Sequence, residues 1–177
     1  MRAHEPFGAD GALDVRIGGR PPFLETSRAS LICTREFESL TSEIEERILA
    51  LDAEQVGATA EVRRSPGRCI VQLGPVGLTV SWLRDSSGHA AAGRLFIVEW
   101  DGQVGRGRVA NPERGMGSER ALVAKPIREQ VMVPAATCEE DWRWCSEEKG
   151  RSPGARSADL AKRCVDSLVA TLARKVS

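Results

Sequence analysis

The chain has little that would commit it to a specialised chemistry. Its 25 Lys and Arg residues are matched by 25 Asp and Glu, so the formal net charge is zero. No whole-molecule field therefore draws it towards nucleic acid or an anionic membrane. The longest run of large apolar residues, LFIV beginning at Leu95, is far too short to span a bilayer. The opening residues, MRAHEPFGADGALDVRIGG, lack the apolar stretch of a signal peptide. Lysine occurs only at Lys125, Lys149, Lys162 and Lys175. The excess of arginine reads as codon usage rather than a phosphate site, because no dense arginine cluster accompanies it.

Cysteine and histidine are equally uninformative. The five cysteines, Cys33, Cys69, Cys138, Cys145 and Cys164, are odd in number and contain no C-x-x-C. Neither a disulfide framework nor a zinc site, which needs about four ligands in close pairs, is expected. Three of them fall at apolar positions of expected elements, where a free thiol behaves as a small hydrophobe. These features imply a reduced, cytoplasmic protein with no metal and no cofactor. The only histidines are His4 and His89. His89 shares a polar turn with Asp85, Ser86 and Ser87, and neighbours in one turn rarely converge on a substrate. No G-x-S-x-G elbow occurs. Gly102, Gly105 and Gly107 lack the strand–glycine–helix setting of a phosphate loop and read as a hairpin tip.

What is present is a core. Residues 1–30, rich in Gly, Pro and charge, read as a loosely ordered arm, and 31–177 as a single α+β domain. A helix is expected from an N-cap at Thr34, with Phe37, Leu40, Ile44, Ile48 and Leu51 as its buried stripe and Glu43–Arg47 as a surface pair. Strands follow at Thr59–Arg63, Cys69–Leu73, Val76–Leu83 and Gly93–Asp101, separated by SPGR, Gly74-Pro75 and DSSGH. Short connections imply antiparallel neighbours. The segment between Gly102 and Ala135 is expected to hold an irregular hairpin. A C-terminal helix capped by Ser157 carries Leu160, Ala161, Cys164, Val165, Leu168, Val169 and Leu172 on one face. The architecture is α+β: an antiparallel meander of 4–6 strands with the N-terminal and long C-terminal helices packed on one face.

In the last strand of this set, Gly93–Asp101, both faces are apolar. Phe96, Val98 and Trp100 alternate with Leu95, Ile97 and Glu99. We assign the second set to the face away from the helices. That face then carries Ile70, Leu83, Leu95 and Ile97, and leaving four such side chains wet forfeits roughly 1.5–3 kcal/mol each. A contiguous patch of this kind points to an interface, and a self-associating homodimer is the leading expectation. The alternative is a small-molecule-binding or enzymatic pocket between the sheet and the C-terminal helix, lined by Trp82, His89, Glu99, Trp100, Trp142 and Trp144. Within it Glu99 and Asp101 are the carboxylates that could serve as acid or base, or could simply pair with an arginine such as Arg68. Trp142 and Trp144 fit either a core or a binding surface. The six cations between Arg106 and Arg128 allow a third expectation, a weak nucleic-acid contact, which the lack of stacking aromatics disfavours.

Overall fold

The structure is a computed structural model, and it describes residues 22–51, 56–104, 124–148 and 154–176. Six strands follow one another in the order β1 (Ala60–Ser65), β2 (Arg68–Leu73), β3 (Val76–Leu83), β4 (Arg94–Asp101), β5 (Lys125–Ala135) and β6 (Arg143–Ser146). Each pairs antiparallel with the next, so the spatial order equals the chain order. Tight turns make this possible. Gly67 and Gly74 hold φ of 72° and 54°, a backbone region that side chains resist. Two helices, α1 (Ser27–Leu49) and α2 (Ser157–Val176), pack on each other and on one face of the sheet. The α+β meander is therefore as expected.

Helix α1 begins earlier than the sequence pattern suggests. Thr26 is its N-cap, and the Thr26 Oγ1 accepts from the Ala29 amide at 3.1 Å. Ala29, Ile32 and Cys33 extend the buried stripe by two turns in front of Phe37, Leu40, Ile44 and Ile48. Thr34 lies inside the helix and donates its hydroxyl to the Ser30 carbonyl. Residues 23–30, expected within the arm, thus form a 3-10 turn and the first turn of α1, while 1–21 lie outside the described residues. The Glu43–Arg47 pair forms at 3.4 Å.

The core lies between the helices and the inner sheet face. Cys69, Val71 and Leu73 of β2, Val76, Leu78 and Val80 of β3, and Leu95 and Ile97 of β4 meet Leu40, Ile44, Leu160, Leu168 and Leu172. Three indoles close one end. Trp144 stands edge-on to both Trp82 (5.6 Å between centroids) and Trp142 (5.9 Å), the geometry favoured by the ring quadrupole. Trp82 also lies against Gly93, where a Cβ would overlap the indole ring. Trp142 and Trp144 are both core residues.

Polar ties fix the helices. Trp144 Nε1 donates to Ser157 Oγ at 3.0 Å, and Ser157 donates to Glu36 Oε2 at 2.8 Å, joining β6, α2 and α1. Ser157 is therefore the first residue of α2 and a cross-link, not the side-chain cap expected. Glu139, in the turn before β6, accepts from Arg28 and Arg35 of α1, both at 2.8 Å. Asp141 accepts from Thr137 and from the Cys138 amide in the same turn.

Two outcomes follow. Gly93→Ala should lose about 1–3 kcal/mol in urea denaturation, since its methyl must displace the Trp82 ring. The Arg28 and Arg35 guanidinium groups hold Glu139 below its usual 4.5, and the Thr137 hydroxyl followed by the Cys138 amide holds Asp141 below its usual 3.8. Lowered folded-state values give stability that is full above the usual values and is lost as pH falls through the depressed ones. The double variant Glu139→Gln, Asp141→Asn should therefore flatten the acid limb of stability measured against pH.

Candidate functional site

Register decides which side chains share a face. Val80 pairs with Ile97, Trp82 with Leu95 and Leu78 with Glu99. Directly opposed residues point the same way, and Val80 and Leu78 belong to the core. Leu95, Ile97 and Glu99 therefore lie beneath the helices, contrary to the expectation that they line the far face. Leu95 is fully buried and Ile97 nearly so. The reason is that alternation fixes two sets but not their direction, and cross-strand pairing with β3 fixes the direction. Ile70 and Leu83 do sit on the outer face.

That outer face is apolar with a different membership. Phe96, Val98 and Trp100 of β4 stand on it, each half-buried. They are flanked by Ile70 of β2 and Val131 of β5 through the pairings Ile70–Thr79–Val98 and Phe96–Val131. Trp100 Nε1 donates to Thr79 Oγ1 at 3.0 Å, so the indole is laid against the sheet with its polar atom satisfied. Both helices lie on the opposite face. One margin is roofed by the chain leaving β4. The Val104 amide donates to Gln72 Oε1 at 2.9 Å, its carbonyl accepts from Arg63, and its side chain occupies the space a Cβ on Gly77 would need.

The six pocket residues proposed from sequence do not form one lining. Trp82, Trp142 and Trp144 are together in the core. Trp100 is on the outer face, and His89 is exposed in its turn. There Ser87 donates to Asp85 Oδ1 at 2.5 Å and its oxygen accepts from the His89 amide, so the local groups serve the turn itself. The Ser87 hydroxyl is the main cause of the lowered Asp85 carboxyl.

Glu99 is buried on the inner face, where Ser167 of α2 donates to its Oε1 at 2.6 Å and Thr171 to its Oε2 at 3.2 Å. Asp101 meets Lys175. Neither meets Arg68, which lies on the outer face. Beside Glu99 a cleft of about 590 Å³ opens between β5 and α2. Its walls include Ile97, Met132, Trp144, Leu160, Cys164 and Arg163. Of the sequence-proposed lining it contains Glu99 and Trp144. Sequence reasoning missed Arg128, Gln130 and Met132, because only the β5 register shows that they share a face with Glu99.

A wider hollow of about 1030 Å³ lies between α1 and the β1–β2 turn. Two of its polar pairs are matched to each other, Arg64 with Glu45 at 3.1 Å and Arg84 with Thr34 at 2.5 Å, while the buried Trp82 Nε1 has no partner among the described residues. Burial pushes the thiols of Cys33 and Cys164 up to about 12 and of Cys69 up to about 11, so all three stay neutral. No group of His, Cys, Asp and Glu that could hold a metal ion occurs among the described residues. No helix among them is long and apolar enough to cross a membrane. The arginine–glycine segment that suggested nucleic-acid contact falls outside the described residues apart from Lys125 and Arg128. No family model, no curated protein and no solved structure matches this chain.

Glu99→Ala should lower stability by about 1–3 kcal/mol in chemical denaturation, because Thr171 is buried and loses its acceptor.

Proposed function

We propose that the protein is an interaction module that self-associates as a two-fold dimer through the outer face of its sheet. The observation that carries this reading is the row of Phe96, Val98 and Trp100, extended by Ile70 and Val131, on the face opposite both helices. Six strands about 4.8 Å apart give a platform roughly 24 Å wide, comparable in reach with a standard interface of about 800 Å² per partner.

Charge favours a second copy over an unrelated partner. One row of the outer face runs Arg63, Ile70, Thr79, Val98, Glu129 across β1 to β5. It is basic at one end, acidic at the other and uncharged between. A two-fold axis along β3 lays β1 of one copy over β5 of the other and β2 over β4. Arg63 then approaches the second copy's Glu129, and the same contact recurs by symmetry. Ile70 falls on Val98. Two sheets packed this way keep their strands within about 30° of each other.

Sedimentation or light scattering at micromolar concentration tests the reading. The expected mass is that of two chains. Val98→Lys should give a folded monomer, because the lysine can pair with Glu129 across the strands of one copy but is buried in the dimer. Wild-type protein that stays monomeric at 100-fold higher concentration would end this proposal.

A further inference from the structure

The cleft between β5 and α2 has a polarity that selects its occupant. It lies on the helix side of the sheet, so it is independent of the dimer face. Its polar wall is a directed chain. Arg128 Nη1 donates to Ser167 Oγ at 3.2 Å, and Ser167 donates onward to Glu99 at 2.6 Å. Thr171 supplies a second donor to the same carboxylate. The acceptor end of the chain is thus buried and satisfied, while the donor end is exposed at the opening.

The remaining donors converge on that opening. Gln130, with its amide oxygen turned to Arg128, accepts from Nε at 3.0 Å and Nη2 at 2.7 Å, which holds the guanidinium plane in place. Two of the five Arg128 N–H groups are left over by this count. Arg163, one turn before Ser167 on α2, makes no hydrogen bond or ion pair among the described residues and lines the same cleft. Glu129 also borders the cleft, but its pairing with Val98 turns its side chain to the outer face. Glu148, two residues beyond β6, also borders the cleft, and continuing the Met132–Ser146 pairing sets it across from Gln130.

Beneath the arginines the lining is apolar: Ile97, Met132, Leu160 and Cys164, with Trp144 fully buried behind them. Trp144 Nε1 is already committed to Ser157, and the Cys164 thiol is neutral, so this floor offers no strong donor. Apolar depth with a few convergent polar groups at one end is the usual form of a small-ligand site. Planar guanidinium groups match a carboxylate geometrically.

We propose that this cleft binds a small amphipathic carboxylate, with its head on Arg128 and Arg163 and its apolar body on Met132 and Leu160.

The test uses the full chain and three probes: octanoate, 1-octanol and acetate. Binding is followed by the methyl resonance of Met132, identified by its absence in Met132→Leu. Octanoate should shift that resonance saturably. Octanol, which has the chain without the charge, and acetate, which has the charge without the chain, should bind at least about tenfold more weakly, the worth of one charge-assisted contact. Arg163→Gln, at an exposed position with no ion pair among the described residues and with its fold checked by circular dichroism, should weaken octanoate by a similar factor and leave octanol unchanged. The proposal is overturned if octanoate leaves the Met132 resonance in place at millimolar concentration. It is overturned equally if octanol binds as well as octanoate or if Arg163→Gln leaves octanoate binding intact. Repeating the titration on Val98→Lys separates the two proposals, because loss of the dimer leaves the cleft unaltered.

Discussion

The pairing of Val80 with Ile97 fixes which side of β4 meets the helices, and the rest of the molecule follows from it. With that register, Leu95 and Ile97 complete the core and Glu99 is carried beneath α2. The same choice turns Phe96, Val98 and Trp100 outward. A shift of one residue would exchange the two sets. It would bury a tryptophan and a phenylalanine against α2 and leave Glu99 facing water. The hydroxyls of Ser167 and Thr171 show which arrangement the helix is built for, since both point at a carboxylate.

Much of the fold could be read from the amino-acid order. Glycine turns, alternation in Val76–Leu83 and the broad stripe of the C-terminal helix were enough to place a meander beneath two helices. The sidedness of β4 could not be read, because Leu95/Ile97 and Phe96/Val98 are equally apolar and only pairing with a neighbour distinguishes them. The start of α1 was obscured for a related reason. Ala29 and Cys33 are small enough to look neutral, yet both are buried on the same stripe as Phe37.

The candidate sites were less legible. A pocket inferred from tryptophans gathers what is chemically distinctive, but indoles bury as readily as they bind. Trp142 and Trp144 went to the core, and Trp100 to the opposite surface. The cleft that does exist is marked by Arg128 and Gln130, ordinary residues in a strand whose start is blurred by Pro126 and by a register shift opposite Glu99 and Trp100. Two-residue periodicity, counted from the wrong origin, hides them. Polar satisfaction is the more discriminating signal. Wherever a carboxylate between the layers has its donors from another element, as at half-buried Glu36 and buried Glu99, the group is structural, and the unspent hydrogen-bonding capacity lies elsewhere.

The link from Ser157 to Glu36 spans 121 residues of chain. Every strand of the sheet lies between its two ends, so neighbouring hairpins can zip locally while the helical layer cannot. At ribosomal rates of about 5–20 residues per second, α1 waits several seconds for α2 to be synthesised. Through that interval the inner face of the nascent sheet lacks the α2 half of its cover, and its apolar side chains stay open to water.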